Sequence, residues 1–361
     1  MFKFDFKLEE LEDDENILDI PNDINDHVTP GINTISSVPF NVYSISDLIS
    51  TLPSAISYSP VKIPKINSSS SATTLYRRDL FDARYQLISE DDDSIPTDDR
   101  NNDNENLLFI DAPSDLMPGV YEGGLKTWEC SLDLAGYLAS LDLDRSVIGN
   151  DELSILEIGC GTAIPSLYCL KYLFSKPPSA QTSRTIIHLQ DYNAVVLKLM
   201  TLPNVILSWY MSPASEAYRK TLPEDQDSEL AMEFTLEFTE DLIAAFQNSL
   251  TDYHIEFRFI SGSWEDTNTW ITENRIKFDL ILSSETVYQI SSLPHLITLL
   301  HNSVSNVPPP LCLIAAKVVY FGVGGGVESF VKSVTDRGGR SETVFETKTG
   351  VARKIMKISW S

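Results

Sequence analysis

The chain has 361 residues, 42% of them hydrophobic, and a formal net charge of -25 at pH 7. Its size and apolar content are typical of a globular protein with a sizeable core. The negative charge disfavours a surface that follows nucleic-acid phosphates, because such a surface needs clustered lysine and arginine. No apolar stretch approaches the roughly 20 residues that span a bilayer, and the first residues lack the pattern of a secretory signal. We therefore expect no direct nucleic-acid contact and no membrane association.

The acidic residues are concentrated at the beginning of the chain. Residues 1–118 contain 23 aspartates and glutamates but only 8 lysines and arginines. Serine clusters and runs of acids replace periodic apolar patterns there, so we expect residues 1–114 to form an acidic, largely disordered N-terminal region. Two interpretations remain open for it: a solvated tail, or an arm that binds a basic partner.

Residues 115–361 alternate strand-like and helix-like patterns, as a βαβ array requires. They predict a Rossmann-like α/β domain with a mostly parallel sheet and helices on both faces. Strands are expected in LSILEIG, RTIIHLQD, IEFRFISG, FDLILSSE, PLCLIAAKVVYF, SETVFETK and VARKIMKISW. Helices are expected in WECSLDLAGYLASL, AIPSLYCLKYLF, NAVVLKLM and LPHLITLLHNSV. Residues from about 210 to 252 are longer than an ordinary connection and are interpreted as an insertion with helical parts.

The four cysteines are Cys130, Cys160, Cys169 and Cys312. Their spacing fits neither a zinc site nor a disulfide framework, so we expect reduced core thiols and no bound metal. Reduced thiols are typical of cytoplasmic and nuclear proteins, and we expect that location.

A turn with two glycines follows the first predicted strand. It comprises Gly159, Cys160 and Gly161, and it runs into a predicted helix. Ile164 stands where a dinucleotide-binding turn requires a third glycine, and no Walker lysine follows. Glu157, two residues before the first glycine, suits a cofactor that carries an amino group and a sulfonium. That cofactor is S-adenosylmethionine.

Polar groups also end the next three predicted strands. Asp191 could accept hydrogen bonds from both ribose hydroxyls of the cofactor. Gly262, Ser263 and Trp264 form a small turn where the backbone could approach an adenine and the indole could stack on it. Ser283–Tyr288 would lie where a methyl acceptor meets the sulfonium. Because parallel strands end at one edge of a sheet, these groups favour one cofactor site, although a helix cap and an ordinary strand-end aspartate would give part of the pattern.

Seven segments of residues 115–361 are distinctive in combination: VYEGGLKTWECSLDLAGYL, ILEIGCGTAIPSL, LQDYNAVVL, LPNVILSW, ISGSWED, DLILSSETVY and AAKVVYFGVGGGVESF. This combination resembles the S-adenosylmethionine-dependent protein-histidine N-methyltransferases, which belong to the seven-strand class I methyltransferases. The resemblance implies methylation of one histidine, at its tau nitrogen, in a large-subunit ribosomal protein. It also implies cofactor contacts from Lys126, Thr127, Trp128, Glu129, Glu157, Gly159, Cys160, Gly161, Asp191, Asn193, Gly262, Ser263, Trp264 and Ser284.

An acceptor histidine needs one ring nitrogen with an available lone pair. Imidazole has a pKa of about 6.5, so at pH 7 one nitrogen is usually a nucleophile while the other carries the proton. A protein group that accepts this N–H would fix the tautomer, and the candidates are Glu285, Tyr288 and Glu122. Helix capping or solvation at the surface is the alternative for each of them. The five histidines of the chain show no catalytic or ligand spacing and are assigned no role.

Other functions remain open from the sequence alone. A protein-lysine methyltransferase would share the same sheet and cofactor edge. A non-catalytic acidic chaperone for a ribosomal protein would bind through the N-terminal region and use the domain as a scaffold. A small-molecule or RNA methyltransferase is disfavoured only modestly, because fold does not determine substrate. We expect a monomer whose partner is a basic ribosomal protein of the large subunit, attracted by its opposite charge.

Overall fold

A mixed eight-stranded sheet and a smaller three-stranded sheet organise the part of the chain that the structure describes. In this computed structural model that part comprises residues 38–66, 73–92, 123–141, 143, 152–178, 184–222, 234–305, 310–322 and 324–360. Its strands are β1 Asn41–Tyr43, β2 Ala55–Ile63, β3 Thr73–Arg78, β4 Glu152–Ile158, β5 Arg184–Asp191, β6 Thr235–Glu237, β7 Ile255–Ser261, β8 Leu280–Ser284, β9 Leu311–Lys317, β10 Gly339–Thr347 and β11 Arg353–Trp360. Its α-helices are α1 Ile45–Ile49, α2 Leu80–Asp92, α3 Glu129–Leu138, α4 Ile164–Phe174, α5 Ala194–Val196, α6 Leu202–Tyr210, α7 Glu216–Arg219, α8 Glu240–Asp252, α9 Trp264–Glu273, α10 Leu293–Ser303 and α11 Val327–Asp336.

The strand order of the large sheet is β1-β7-β5-β4-β8-β9-β11-β10. Strands β7, β5, β4, β8 and β9 are parallel. Strand β11 lies antiparallel between β9 and β10, and β1 adds an antiparallel strand beyond β7. The order reverses at β4, where the crevice for a ligand forms in sheets of this type. The predicted Rossmann-like, mostly parallel class I sheet is confirmed.

Helices cover both faces of this sheet. Strand β4 is almost wholly buried, as a parallel strand with two covered faces must be. Successive side chains of a strand point to opposite faces, and Ile155 and Leu156 accordingly belong to two different apolar clusters. The first cluster contains residues of α3 and α4, and the second contains residues of α9, α10 and α11.

The predicted strands of residues 115–361 correspond to β4, β5, β7, β8, β9, β10 and β11. The predicted segment 310–321 ends earlier, at Lys317, because the chain turns away there. The predicted helix over residues 193–200 is divided into α5 and a π-helical turn, Leu197–Thr201, before α6 begins. Pro203 in the first turn of α6 has no N–H for an intrahelical hydrogen bond.

The expectation of a largely disordered region up to residue 114 needs correction. Residues 38–66 and 73–92 form β1, α1, β2, β3 and α2. Strand β1 pairs with β7, while β2 pairs with both β3 and β6. Strand β1 has only three residues, and its partner β7 lies more than 200 positions along the chain. The pairing of β2 with β6 is similarly distant, so local sequence does not indicate either pairing. Residues 1–37 and 93–114 lie outside the described residues.

The predicted insertion, about residues 210–252, has helical parts as expected, namely a 3₁₀ turn, α7 and α8. It also supplies β6, which completes the small sheet. Within the described ranges, no single helix has the length and apolar character of a membrane span. One bent pair of helical segments, Ala194–Tyr210 and Pro213–Arg219, has sufficient length and apolar composition when the two are taken together.

Candidate active site

A cleft opens at the carboxyl edge of the large sheet, where β4, β5 and β8 end and α9 begins. Its empty volume, including the open mouth, is about 1120 Å³, enough for a nucleoside-sized ligand. Nine of the fourteen predicted cofactor residues line it: Lys126, Trp128, Gly159, Cys160, Gly161, Asp191, Ser263, Trp264 and Ser284. The sheet therefore brings together residues from five separate segments of the chain.

The glycine turn after β4 approaches its neighbours too closely for side chains. Gly159 and Gly161 have φ angles of +62° and +52°, a region that favours glycine. A Cβ on Gly159 would lie 2.6 Å from Cγ2 of Thr286, and one on Gly161 would lie 3.0 Å from the carbonyl oxygen of Gly124. The turn consequently presents backbone, not side chains, to the cleft.

Asp191, the last residue of β5, fixes this turn. Its Oδ2 accepts the N–H of Gly161 at 2.9 Å, and its Oδ1 accepts the N–H of Asn193 at 3.2 Å. A carboxylate has about four acceptor positions, and Asp191 is part of the cleft wall. This position suits the predicted ribose contact.

Glu157 lies behind the turn and not in the cleft. Its side chain is fully buried, and Oε2 accepts the N–H of Ser166 in the first turn of α4 at 2.9 Å. Burial raises the pKa of this carboxyl to about 8, and the charge of Asp191 acts in the same direction. In this structure the carboxyl of Glu157 supports the helix behind the turn, and its expected contact with a cationic cofactor group stays a prediction.

Two residues of the predicted segment 126–129 also lie outside the cleft lining. The hydroxyl of Thr127 accepts a hydrogen bond from Nη1 of Arg77 at 2.9 Å and lies 3.0 Å from the hydroxyl of Thr162. The Glu129 carboxylate lies 3.4 Å from Nζ of Lys317 and is more than half exposed. The side chains of Thr127 and Glu129 thus contact groups beside the cleft, while those of Lys126 and Trp128 line it.

Gly262 and Asn193 are the remaining predicted residues outside the lining. A Cβ on Gly262 would lie 2.9 Å from Cα of Phe40, so the residue before β1 packs directly against this glycine. Asn193 precedes α5, and its side-chain amide nitrogen is buried without a partner among the described residues. Gly262 accordingly serves packing between strands, and sequence reasoning missed this because β1 was not predicted.

Glu285 lies at the floor of the cleft beside the end of β8. Its backbone has a φ of +60°, which is uncommon for a residue with a side chain, and its N–H donates to the carbonyl of Ala315 at 2.9 Å. Its Oε2 accepts the hydroxyl of Tyr320 at 2.7 Å, and Oε1 lies 3.6 Å from Nζ of Lys317. A hydroxyl and a cation thus hold this carboxylate in place.

Tyrosines accompany Glu285. Tyr288 lines the cleft, and its ring meets that of Tyr320 edge-on at a centroid distance of 6.3 Å. Burial, followed by the neighbouring Glu285 charge, raises the pKa of Tyr320 well above its ordinary value, so its hydroxyl remains a donor. The third catalytic candidate, Glu122, lies outside the described residues.

Sequence reasoning missed several cleft residues. One is Lys317, which contacts the cleft residue Glu285 and whose Nζ also lies 4.9 Å from the ring centre of Trp128. Lys317 thus connects Glu285 with Trp128. Five missed residues of the cleft lining directly adjoin a predicted residue, so adjacency could have found them: Gly123, Thr162, Tyr192, Glu265 and Gln289. Gly124, Ser131, Ser292 and His295 also line the cleft but adjoin no predicted residue. His295 had no such signal, and its Nδ1 lies 3.7 Å from Oε2 of Glu265.

These groups fit the predicted S-adenosylmethionine. The glycine turn lets a ligand approach the backbone closely, Lys126 complements a carboxylate, and Asp191 complements hydroxyls. The indoles of Trp128 and Trp264 provide flat apolar walls. The contacts of individual residues with the cofactor stay predictions.

No protein-family model matches the chain. Among curated proteins, it is 33% identical over 315 residues to "Histidine protein methyltransferase 1" of Schizosaccharomyces pombe, covering 86% of this chain and 81% of the relative. It is also 33% identical over 296 residues to the protein of the same name from Saccharomyces cerevisiae, covering 79% of this chain and 76% of the relative.

Two solved structures also match part of the chain. One is a magnesium protoporphyrin IX methyltransferase from Synechocystis with bound SAH (TM-score 0.35, 13% identity, 64% of this chain and 83% of that chain). The other is a putative class I S-adenosylmethionine-dependent methyltransferase from Listeria monocytogenes (TM-score 0.37, 10% identity, 78% of this chain and 69% of that chain). On its similarity to the curated yeast proteins, the chain belongs to the histidine protein methyltransferase 1 family and is an enzyme with S-adenosylmethionine as its cofactor.

Proposed function

We propose that this protein-histidine methyltransferase modifies the tau nitrogen of one histidine in a basic ribosomal protein of the large subunit. The observation that carries the proposal is the carboxylate of Glu285, held at the floor of the cleft between Lys317 and Tyr320. A fixed carboxylate at this place can accept one N–H of a neutral imidazole. The opposite ring nitrogen then faces the cleft with its lone pair.

The residues of the chain do the positioning. Asp191 and the glycine turn hold the nucleoside side of the cleft, and Glu285 orients the acceptor ring on the other side. When bound, S-adenosylmethionine supplies an electrophilic methyl group. In-line placement at about 3 Å is the main requirement for such a transfer, so little proton transfer by the protein is needed before the methyl group moves.

Neutral imidazole is the reactive form, and Glu285 favours the tautomer with a proton on the ring nitrogen that it contacts. After transfer the ring is cationic, and the adjacent carboxylate stabilises the developing charge. Lys317 and Tyr320 hold the Glu285 carboxylate in the orientation in which it can contact the ring, because their contacts prevent it from rotating away. Tyr288, at the same floor, is the second group that could contact the ring.

The charge of the chain supports a basic partner. The net charge is -25, and the exposed Glu129 and Glu265 carboxylates flank the cleft. Opposite charges accelerate protein association, and this attraction weakens with added salt. We also propose that the reaction takes place in the cytoplasm and nucleus, where the four free, buried cysteines remain reduced.

The test is to incubate the protein with radiolabelled S-adenosylmethionine and unmodified large-subunit ribosomal proteins, and to map the labelled residue by mass spectrometry. Asp191→Ala serves as the blank, and Asp266→Ala, a change at an exposed carboxylate in the first turn of α9, serves as the matched control. Label on one histidine, absent only from the blank, supports the proposal. Label on lysine refutes the acceptor, and no labelled protein despite measurable cofactor binding favours the scaffold alternative.

A further inference from the structure

Four exposed apolar side chains cluster at the carboxyl edge beside the cleft. Ile290, Val319, Phe321 and Val351 have 55%, 49%, 86% and 43% of their surface exposed. They lie after β8, after β9 and before β11, which are neighbours in the sheet. Half of the large apolar side chains that are exposed in the described ranges belong to this group, which we call the edge patch.

The edge patch adjoins the acceptor side of the cleft. Ile290 lies between Gln289 and Ser292, which both line the cleft. Phe321 directly follows Tyr320, whose hydroxyl donates to Glu285 at 2.7 Å. A chain segment that placed a side chain against Glu285 would therefore extend over the edge patch.

The backbone that carries Phe321 is held firmly. The N–H of Tyr320 donates to the carbonyl of Gly325 at 3.1 Å, and the N–H of Gly325 donates to the carbonyl of Tyr288 at 2.9 Å. A Cβ on Gly325 would lie 2.1 Å from that same carbonyl oxygen, so only glycine permits this approach. An aromatic ring is thus presented to solvent from a fixed position, which is typical of a contact residue on a scaffold.

We propose that the edge patch is the docking surface for the segment of the acceptor protein that carries the target histidine. An apolar side chain of that segment covers Phe321, and its basic residues face the exposed carboxylates of Glu265 and Glu328. This inference rests on the proposed function, because the occupant is the protein substrate. The continuity of the patch with the Glu285 floor identifies that occupant.

Truncation of Phe321 should weaken acceptor binding without affecting the cofactor. An aromatic ring that becomes buried in an interface contributes to the binding free energy. Removal of the Phe321 ring should therefore raise the acceptor KM by roughly tenfold or more. The residue does not line the cleft, so the affinity for S-adenosylhomocysteine and the kcat at saturating acceptor should stay within about twofold.

The experiment compares wild type, Phe321→Ala and Phe321→Leu with Phe81→Ala, a matched control whose ring is 81% exposed on α2. The acceptor in this experiment is the ribosomal protein that becomes labelled in the mapping experiment. If its label is on lysine, the histidine proposal fails, but the docking proposal can still be tested with the same protein. KM and the acceptor dissociation constant are measured together, and the latter does not depend on turnover. A selective rise for Phe321→Ala with partial rescue by Phe321→Leu supports docking. An unchanged dissociation constant, an equal rise in the control, or a loss of cofactor affinity overturns it.

Discussion

The carboxyl edge of the large sheet and the small sheet β2-β3-β6 serve one site in different ways. The edge supplies the turn, the carboxylates and the aromatic walls that line the cleft. No cleft residue in the described ranges comes from residues 38–92, yet β3 reaches the site through the hydrogen bond from Arg77 to Thr127. The comparison teaches that the chemistry of this enzyme lies in local motifs, whereas its support depends on pairing between distant segments.

Removal of the buried guanidinium of Arg78 should have the largest effect. Arg78 is 1% exposed, donates to Asp82 at 2.6 Å and donates to the carbonyl of Leu199 at 2.8 Å. Arg78→Met leaves these acceptors without a donor and should lower the free energy of unfolding by about 3 kcal/mol or more. Urea unfolding measures the change. Arg184→Met, at a half-exposed ion pair with Glu256, is the control with an expected loss below about 1 kcal/mol. Equal losses would contradict a supporting role for the N-terminal elements.

At the edge itself, Asp191→Asn should abolish most cofactor binding. The amide can accept the N–H of Gly161, but it lacks the negative charge and half of the acceptor positions. We expect the dissociation constant for S-adenosylhomocysteine to rise by at least about 100-fold while the unfolding free energy changes little. Titration calorimetry measures the affinity, with Glu273→Gln, at an exposed carboxylate at the end of α9, as the control. Affinity within threefold of wild type would remove Asp191 from the cofactor site.

The buried carboxyl of Glu157, behind the glycine turn, should make the stability of the protein depend on pH. Its folded-state pKa of about 8 exceeds the ordinary value of 4.5, so the folded protein binds the proton more tightly. Its contribution is therefore fully present below pH 4.5 and is lost as the pH rises towards 8. Glu157→Gln cannot lose this proton, so its stability relative to wild type should increase with pH across this window, by on the order of 5 kcal/mol.

This difference is measured by urea unfolding of both proteins at several pH values. The comparison between variants cancels the opposite contribution of His188, whose pKa burial lowers to about 4. Glu265→Gln, at an exposed carboxylate, is the control. A constant difference across the window would show that Glu157 is ionised throughout.

The smallest predicted effect concerns the connection between the two regions. Thr127→Val removes the hydroxyl between Arg77 and Thr162 but keeps the shape of the side chain. We expect a loss of about 1 kcal/mol in stability and a rise of roughly fivefold in the cofactor dissociation constant. Thr269→Val, on the exposed face of α9, is the control. No change in affinity would confine the role of the small sheet to stability.

The sequence was informative where residues that act together are also close in the chain. Gly159 and Gly161 share one turn, and Asp191 ends a strand whose apolar run is unambiguous. The same reasoning did not predict the packing of Gly262 against Phe40, because the two residues are 222 positions apart in sequence. It also missed the partners of Glu285, since Tyr320 and Lys317 meet it only through the parallel pairing of β8 with β9.

Side-chain direction was the second feature that spacing could not supply. Glu157 stands at the expected distance before the glycines, yet its carboxylate faces α4. Lys126 and Trp128 line the cleft, while Thr127 and Glu129 point elsewhere. A motif specifies a segment, and the packing around that segment determines which of its side chains reach the ligand.

The central claim is that Glu285 orients an acceptor histidine so that its tau nitrogen receives the methyl group. The most direct measurement is the isomer of methylhistidine in the acid-hydrolysed product, together with the kcat of Glu285→Gln and, as control, of Glu273→Gln at an exposed carboxylate of α9. We predict tau-methylhistidine alone from wild type, a kcat lowered by roughly 100-fold in Glu285→Gln, and cofactor affinity within about threefold of wild type. Methylation at the pi nitrogen, or an unchanged kcat in Glu285→Gln, would contradict this account.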